Sequence, residues 1–294
     1  MEQIRSFVTE NGVSAVHVTR IPTFSIFKSF DCGQCFRFDP VALFGNKHEV
    51  GGVAFGKYVV FAQNHENEII IYNSTKEDYL SIWCSYLALD VDYDKINEHI
   101  RVASGSSHME RAIDFGSGIR ILRQDPWECI VSFIISQNNN IPRIKKIIAS
   151  LCERYGQEGS FLGKPYYAFP SPRLLGRVSE EEFFDLRMGF RARYVFDACR
   201  RVLGEEIDLD YLKSEPDFDR CVEHLEKIKG VGLKVACCAL LFGFERTEAF
   251  PVDVHMKRAL EKYFPSGIDL KTLGKDAGIA QQYLFYYEKY SQSS

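Results

Sequence analysis

Two glycines one residue apart, Gly230 and Gly232, interrupt an otherwise helix-forming run from Leu225 to Phe244. Glycine ends a helix readily because it adopts backbone angles that side chains resist. The first helix should end near Ile228 and a second should begin near Leu233. The chain must therefore fold back here as two helices joined by a tight hairpin. The opening amides of the second helix have no partner within it and point outward, which suits them to a phosphate oxygen. An ordinary turn with glycine C-caps has the same spacing, so the hairpin alone leaves function open.

Lys234 opens the apolar helix that follows, Val235–Phe244. A lysine in an enclosed apolar setting is unusual, because desolvating its charge is costly. It either snorkels to solvent or serves as an amine nucleophile. Cys238 lies four residues on, on the same helical face, where it packs as a small hydrophobe or sits beside the amine. Asp253 stands nineteen residues after Lys234, in Phe250-Pro251-Val252-Asp253-Val254-His255. It follows an extended Pro-Val segment and precedes a helical pattern, as an N-cap does. Capping is one role. The other is a carboxylate at a cleft, able to stabilise a cationic sugar transition state.

The first third of the chain carries strand patterns. Glu49–Phe55, Lys57–Gln63 and Glu68–Tyr72 are rich in Val, Ile, Phe and Tyr, with short Gly- or Asn-containing links between them, as in an antiparallel meander. Helical patterns follow. Thr75-Lys76-Glu77-Asp78 predicts a capping box. Asp125-Pro126-Trp127-Glu128 predicts a helix start with proline in its first turn, and Ser179-Glu180-Glu181-Glu182 another capped start. From about residue 106 the chain reads as short helices joined by Gly- and Pro-containing turns. Strands first and helices after predict an α+β fold. An N-terminal antiparallel sheet subdomain with helices is expected over residues 1–115, and a helical domain over 116–294.

Composition narrows the class. Hydrophobic residues at 46% and charged residues at 26% exclude a disordered chain and a polycation. No apolar run approaches the ~20 residues of a membrane helix, and Met1-Glu2-Gln3-Ile4-Arg5 lacks the layout of a signal peptide. Nine cysteines fit reduced thiols better than a disulfide framework. The expected compartment is intracellular. The net charge of −4 is unevenly spread: residues 1–105 hold nine basic and 13 acidic side chains, and residues 106–294 hold 27 of each. A neutral half can still present one basic face to phosphate.

Five segments in order carry a resemblance. Gly33-Gln34-Cys35-Phe36-Arg37, Ser136-Gln137-Asn138-Asn139-Asn140-Ile141-Pro142-Arg143-Ile144 and Gly189-Phe190-Arg191-Ala192-Arg193-Tyr194-Val195 are three of them. The Gly230-Val231-Gly232/Lys234/Pro251-Val252-Asp253 constellation and Ala280-Gln281-Gln282-Tyr283-Leu284-Phe285 complete the set. Together they resemble the 8-oxoguanine DNA glycosylase/AP lyase family of the helix–hairpin–helix DNA glycosylase superfamily, over roughly residues 15–290. Phe38 stands where many relatives carry tryptophan, and Cys237 where some carry an acid.

The resemblance implies a TBP-like antiparallel sheet followed by an all-helical helix–hairpin–helix domain. It implies a monomer acting on double-stranded DNA with 8-oxoguanine opposite cytosine, no cofactor, no metal and no membrane, located wherever the DNA is. By similarity, Lys234 attacks the sugar C1′, and Asp253 assists proton handling and stabilises the positive sugar. The Gly33 carbonyl accepts the N7–H that 8-oxoguanine has and guanine lacks, a contact worth on the order of 1–3 kcal/mol. Gln281 reads the Watson–Crick edge, Phe285 and Cys238 sandwich the extruded base, Pro251 lines the pocket and His255 the nearby backbone. Asn138, Arg143 and Arg191 contact the orphaned cytosine, and Phe190 wedges into the vacated stack. Gly230, Val231 and Gly232 bind a DNA phosphate.

Two other readings use the same residues. An alkylpurine glycosylase of the superfamily keeps the aspartate without the lysine, so Lys234 argues against it. A DNA-binding module with no activity has no need of the Lys234/Asp253 pair. The last cysteine is Cys238, so the iron–sulfur spacing of other branches is missing after Asp253.

Overall fold

In the computed structural model, which describes residues 2–265 and 267–291 and all their side chains except that of His255, side-chain alternation builds the first layer. Strands β1 (Gln3–Val8), β2 (Ser14–Thr19), β3 (Phe38–Pro40), β4 (His48–Ala54), β5 (Lys57–Gln63) and β6 (Glu68–Tyr72) form one antiparallel sheet in the order β1-β2-β6-β5-β4-β3. The expected β5 and β6 are found with those bounds, and β4 is displaced by one residue. Successive side chains of a strand point to opposite faces, and both faces are covered here. Val16, Val18, Val59, Phe61, Ile69 and Ile71 pack on one side with Phe24, Trp83 and Tyr86. Ala15, Val60, Ala62, Ile70 and Tyr72 form the other side with Phe161.

Phe161 comes from far along the chain. It belongs to a hairpin of β7 (Glu158–Phe161) and β8 (Lys164–Tyr167) inside the part expected to be helical. Leu162 and Gly163 both have positive φ, 49° and 74°, which is the two-residue turn whose twist matches a hairpin. The ring of Phe161 stacks on Tyr58 with centroids 4.9 Å apart. The hairpin thus roofs the second face of the sheet, and a lone Leu-Gly pair was too weak a turn signal to predict it.

The helical layer contains the capped starts expected at Thr75, Asp125 and Ser179 and the helices expected around the Gly230/Gly232 hairpin and after Asp253. It also contains helices not located from the sequence, Ile26–Asp31 among them. Its main helices up to the hairpin are α1 (Ile26–Asp31), α2 (Tyr93–Ser104), α3 (Ser107–Phe115), α4 (Pro126–Ser136), α5 (Ile141–Tyr155), α6 (Ala192–Leu203) and α7 (Phe218–Glu226). They continue with α8 (Leu233–Gly243), α9 (Val254–Tyr263) and α10 (Ala277–Tyr290). Thr75 and Ser179 make full capping boxes, and Asp125 caps α4 with Pro126 in its first turn. The central pair is α4 against α8, where Phe133 and Phe242 stack at 5.4 Å. Met109, Ala112 and Ile113 of α3 bury themselves in the same core as α4, α8 and α10. Arg120 ties the layers together: its guanidinium donates to Ala88 O, Val91 O and Thr23 O and lies 4.1 Å from the Tyr93 ring centroid. No described helix is long and apolar enough to cross a membrane.

Candidate active site

The site begins at the hairpin between α7 and α8. Gly230 has φ +76°, and a Cβ there would also stand 2.4 Å from the Tyr194 ring. Glycine is therefore required twice, by backbone angle and by close approach. The Lys229 amide donates to Asp197 Oδ2 at 2.7 Å, which docks the hairpin on α6. Gly232 is the N-cap of α8 and offers no side chain to the helix amides. Gly232 and Leu233 are exposed while Val231 is buried, so the amide end of α8 faces outward as an anion site does.

Lys234 and Cys238 project from the first turns of α8. The Lys234 Nζ lies 5.9 Å from the Phe133 ring centroid. Cys238 is only 4% exposed. Burial pushes its thiol up, the Lys234 ammonium opposes that shift by charge and hydrogen bonding, and Asp253 adds to it. The thiol thus feels both proposed catalytic groups, and it stays neutral. Asp253 is the N-cap of α9: its Oδ1 accepts from the Met256 amide at 2.7 Å. That use leaves the second carboxylate oxygen free of the cap.

One cleft of about 90 Å³ gathers these groups. Lys234, Cys238, Pro251 and Asp253 line it together with Gly33, Gln281 and Phe285. The side chain of His255 lies outside the described residues. Four further lining residues were missed from sequence: Cys32, Phe133, Phe242 and Gln282. The first three sit in apolar patterns that read as core. Gln282 carried a signal, being polar in a largely apolar helix, but stood in the shadow of its neighbour.

The Gly33 wall depends on Gln34, which is fully buried. Its Nε2 donates to Ser29 O and Arg120 O, and its Oε1 accepts from the Leu122 amide at 2.8 Å. An amide satisfied on all sides holds the turn at Gly33, where φ is +78°. Arg37 anchors the same segment by donating to Tyr167 O at 2.5 Å and to Glu128 at 3.5 Å. Burial pushes the Glu128 carboxyl up to about 7, against the pull of Arg37.

A second cluster forms beside the cleft helices. Asn138, with φ +46°, and Arg143 are exposed, and Phe190 is 42% exposed. Arg191 is buried instead. Its guanidinium donates to Gln137 O, to Asn138 O at 2.7 Å and to Met188 O at 3.2 Å. It also lies 4.4 Å from the Phe190 ring centroid, so the exposed ring stands on a fixed cation. Burial and the facing Arg143 charge both depress the Arg191 guanidinium. Among the described residues no group of three His, Cys, Asp or Glu side chains could hold a metal ion.

Comparison with known proteins fits this geometry. A family model described as 8-oxoguanine DNA glycosylase, N-terminal domain, matches residues 17–130. A second, the HhH-GPD superfamily of base excision DNA repair proteins, matches residues 131–272. The Clostridium acetobutylicum 8-oxoguanine glycosylase/lyase, solved with double-stranded DNA containing cytosine opposite 8-oxoguanine, is 37% identical. It superposes with a TM-score of 0.87 over 99% of this chain and 98% of that one. This chain belongs to the 8-oxoguanine DNA glycosylase family. The structure of MBOgg1 with a low-affinity DNA ligand is another member-like neighbour, 36% identical, with a TM-score of 0.88 over 99% of this chain and all of that one. The Saccharomyces cerevisiae N-glycosylase/DNA lyase is 31% identical over 78% of this chain, which spans 65% of the yeast protein. In this family member the two matched models meet inside α4, the helix that packs on the Lys234 helix.

Proposed function

We propose that this chain removes 8-oxoguanine paired with cytosine from duplex DNA and then cleaves the backbone at the resulting sugar. The reading rests on one observation: Lys234 and Asp253 open into the same cleft as Gly33, Cys238, Gln281 and Phe285. Residues 1–115 would supply the Gly33 wall, and residues 116–294 the hairpin and both catalytic groups.

The extruded base stacks between Phe285 and Cys238. The Gly33 carbonyl accepts the N7–H of 8-oxoguanine, whereas guanine would bring an acceptor against an acceptor. Gln281 pairs with the Watson–Crick edge. The neutral amine of Lys234 attacks C1′, the C1′–N9 bond breaks, and its electron pair leaves with the base, which takes up a proton. Asp253 stabilises the positive sugar during that step. Opening of the sugar ring gives an imine at Lys234, and loss of a C2′ proton then expels the 3′ phosphate. An amine allows this elimination where a water nucleophile would only hydrolyse.

Burial keeps the Cys238 thiol neutral, so it adds no counter-charge at the amine. Outside the cleft, the hairpin amides take a phosphate, Arg143 and Asn138 reach the orphaned cytosine, and Phe190 fills the gap in the stack. Arg191 joins them only by giving up the loop carbonyls it holds. The protein works as a monomer, since one extruded base needs one pocket, and its place is with the DNA.

Borohydride trapping on an 8-oxoguanine:cytosine duplex tests the reading. The native chain should give a covalent adduct and Lys234→Gln none. An adduct that persists in Lys234→Gln removes that lysine from its role, and a native chain that gives no adduct overturns the lyase step.

A further inference from the structure

Two glutamine amides stand at the cleft, not one. Gln281 and Gln282 are each only 4% exposed. They sit on α10 among Ala277, Ile279, Ala280, Tyr283 and Leu284, all buried. Burying an amide in such surroundings costs free energy unless its polar atoms are paired. The two amides pair with each other: Gln282 Nε2 donates to Gln281 Oε1 at 2.8 Å. Gln282 Oε1 is left buried with no protein group donating to it. Both residues line the cleft that holds Lys234 and Asp253.

Native proteins seldom bury an acceptor without a partner, and a cleft supplies one when its ligand carries a donor. The pairing also orients Gln281. Its carbonyl oxygen is turned toward Gln282, which leaves its amino group on the other side. The hydrogen-bonding capacity that remains is a donor at Gln281 Nε2, a second lone pair at Gln281 Oε1, and an acceptor at Gln282 Oε1. Donor, acceptor, acceptor is also the order on the pairing edge of cytosine. Guanine-type bases carry the complement: the O6 acceptor, the N1–H donor and the 2-amino donor.

We infer that Gln282 is a specificity-determining residue that contacts the substrate, its Oε1 accepting from the 2-amino group of the extruded base. With Gln281 it forms a three-point copy of cytosine. The inference rests on the base-excision reading above. It separates two oxidised purines that share the 8-oxo group and the N7–H. 8-Oxoguanine has the 2-amino group. 8-Oxohypoxanthine lacks it and would leave Gln282 Oε1 unpaired.

Single-turnover excision of each base, placed opposite cytosine, tests this in the native chain and in Gln282→Met, which keeps length and apolar packing. The native chain should favour 8-oxoguanine by about tenfold or more, the factor expected for one buried acceptor left unpaired. In Gln282→Met the 8-oxoguanine rate should fall and the preference collapse to within about threefold, with 8-oxohypoxanthine little changed. A purely structural Gln282 would slow both bases equally and preserve the ratio, which overturns the inference. A second measurement needs no variant. Thermal stabilisation of the native chain by free 8-oxoguanine should exceed that by free 8-oxohypoxanthine, and equal stabilisation counts against the contact. Excision of neither base overturns the base-excision reading itself. Excision of both at one rate overturns only the role of Gln282.

Discussion

Gly33 and Phe285 face each other across the cleft: a methyl group at position 33 would stand 3.5 Å from Cε1 of the ring, an ordinary contact. Space therefore does not demand glycine there. The backbone does, at φ +78°. Gly33→Ala should cost about 1–2 kcal/mol through the left-handed angle and shift the carbonyl that the proposed function sets against N7–H. Denaturant unfolding checks the first effect. Excision of 8-oxoguanine should drop further than stability alone explains, and unchanged excision would remove the Gly33 carbonyl from recognition.

Asp253 caps α9 with one oxygen, so capping and chemistry can be pulled apart. Asparagine caps nearly as well as aspartate, whereas alanine loses about 1 kcal/mol. Asp253→Asn should melt close to the native chain yet excise 8-oxoguanine far more slowly. Asp253→Ala should lose both. Native rates in Asp253→Asn would leave the residue with its structural duty alone.

The hairpin glycines differ in what they tolerate. A methyl at Gly230 meets the Tyr194 ring at 2.4 Å, while one at Gly232 meets nothing within 4 Å. Gly230→Ala should weaken duplex binding and flatten its salt dependence, because phosphate contacts release counterions. Gly232→Ala should fold and melt close to native. A titration of affinity against salt checks Gly230→Ala, and a native salt dependence there would speak against a phosphate held by this loop.

Glu128 makes stability depend on pH. Its carboxyl is raised to about 7 in the folded chain from an ordinary 4.5, mainly by burial. Between those values the folded state holds the extra proton, so this group's contribution falls as pH rises toward 7 and levels off above it. Glu128→Gln removes that loss. The melting temperature of the variant minus that of the native chain should grow between pH 5 and pH 8. A constant or shrinking difference would contradict the buried neutral carboxyl.

Arg143 is exposed, and its one protein hydrogen bond from the guanidinium among the described residues is to Arg187 O at 3.3 Å. The proposed function has it read the strand opposite the lesion. Arg143→Met should relax the preference for cytosine there, measured as excision rates opposite each of the four bases. An unchanged preference would assign that discrimination elsewhere.

Local signals were the legible ones. The capped starts at Thr75 and Ser179, the Asp125-Pro126 start and the Val-, Ile-, Phe- and Tyr-rich runs of β5 and β6 each lie within a few residues, and each is found. Lys234 and Cys238 were placed on one face by helical spacing. What stayed hidden was long-range. Strand β2 pairs with β6 across some fifty residues of sequence, and β1 is a largely exposed edge strand. The meeting of Asp253 with Lys234 in one cleft depends on the path of the chain between α8 and α9, which spacing alone does not determine. Phe133 and Phe242 look like any core aromatics until the cleft between them and α10 is seen.

The cleft takes one wall from the turn at Gly33 and another from Gln281 and Phe285 on the last helix. These two walls stand about 250 residues apart in sequence, so the cleft closes only once both ends of the fold have come together, and loss of either end opens it.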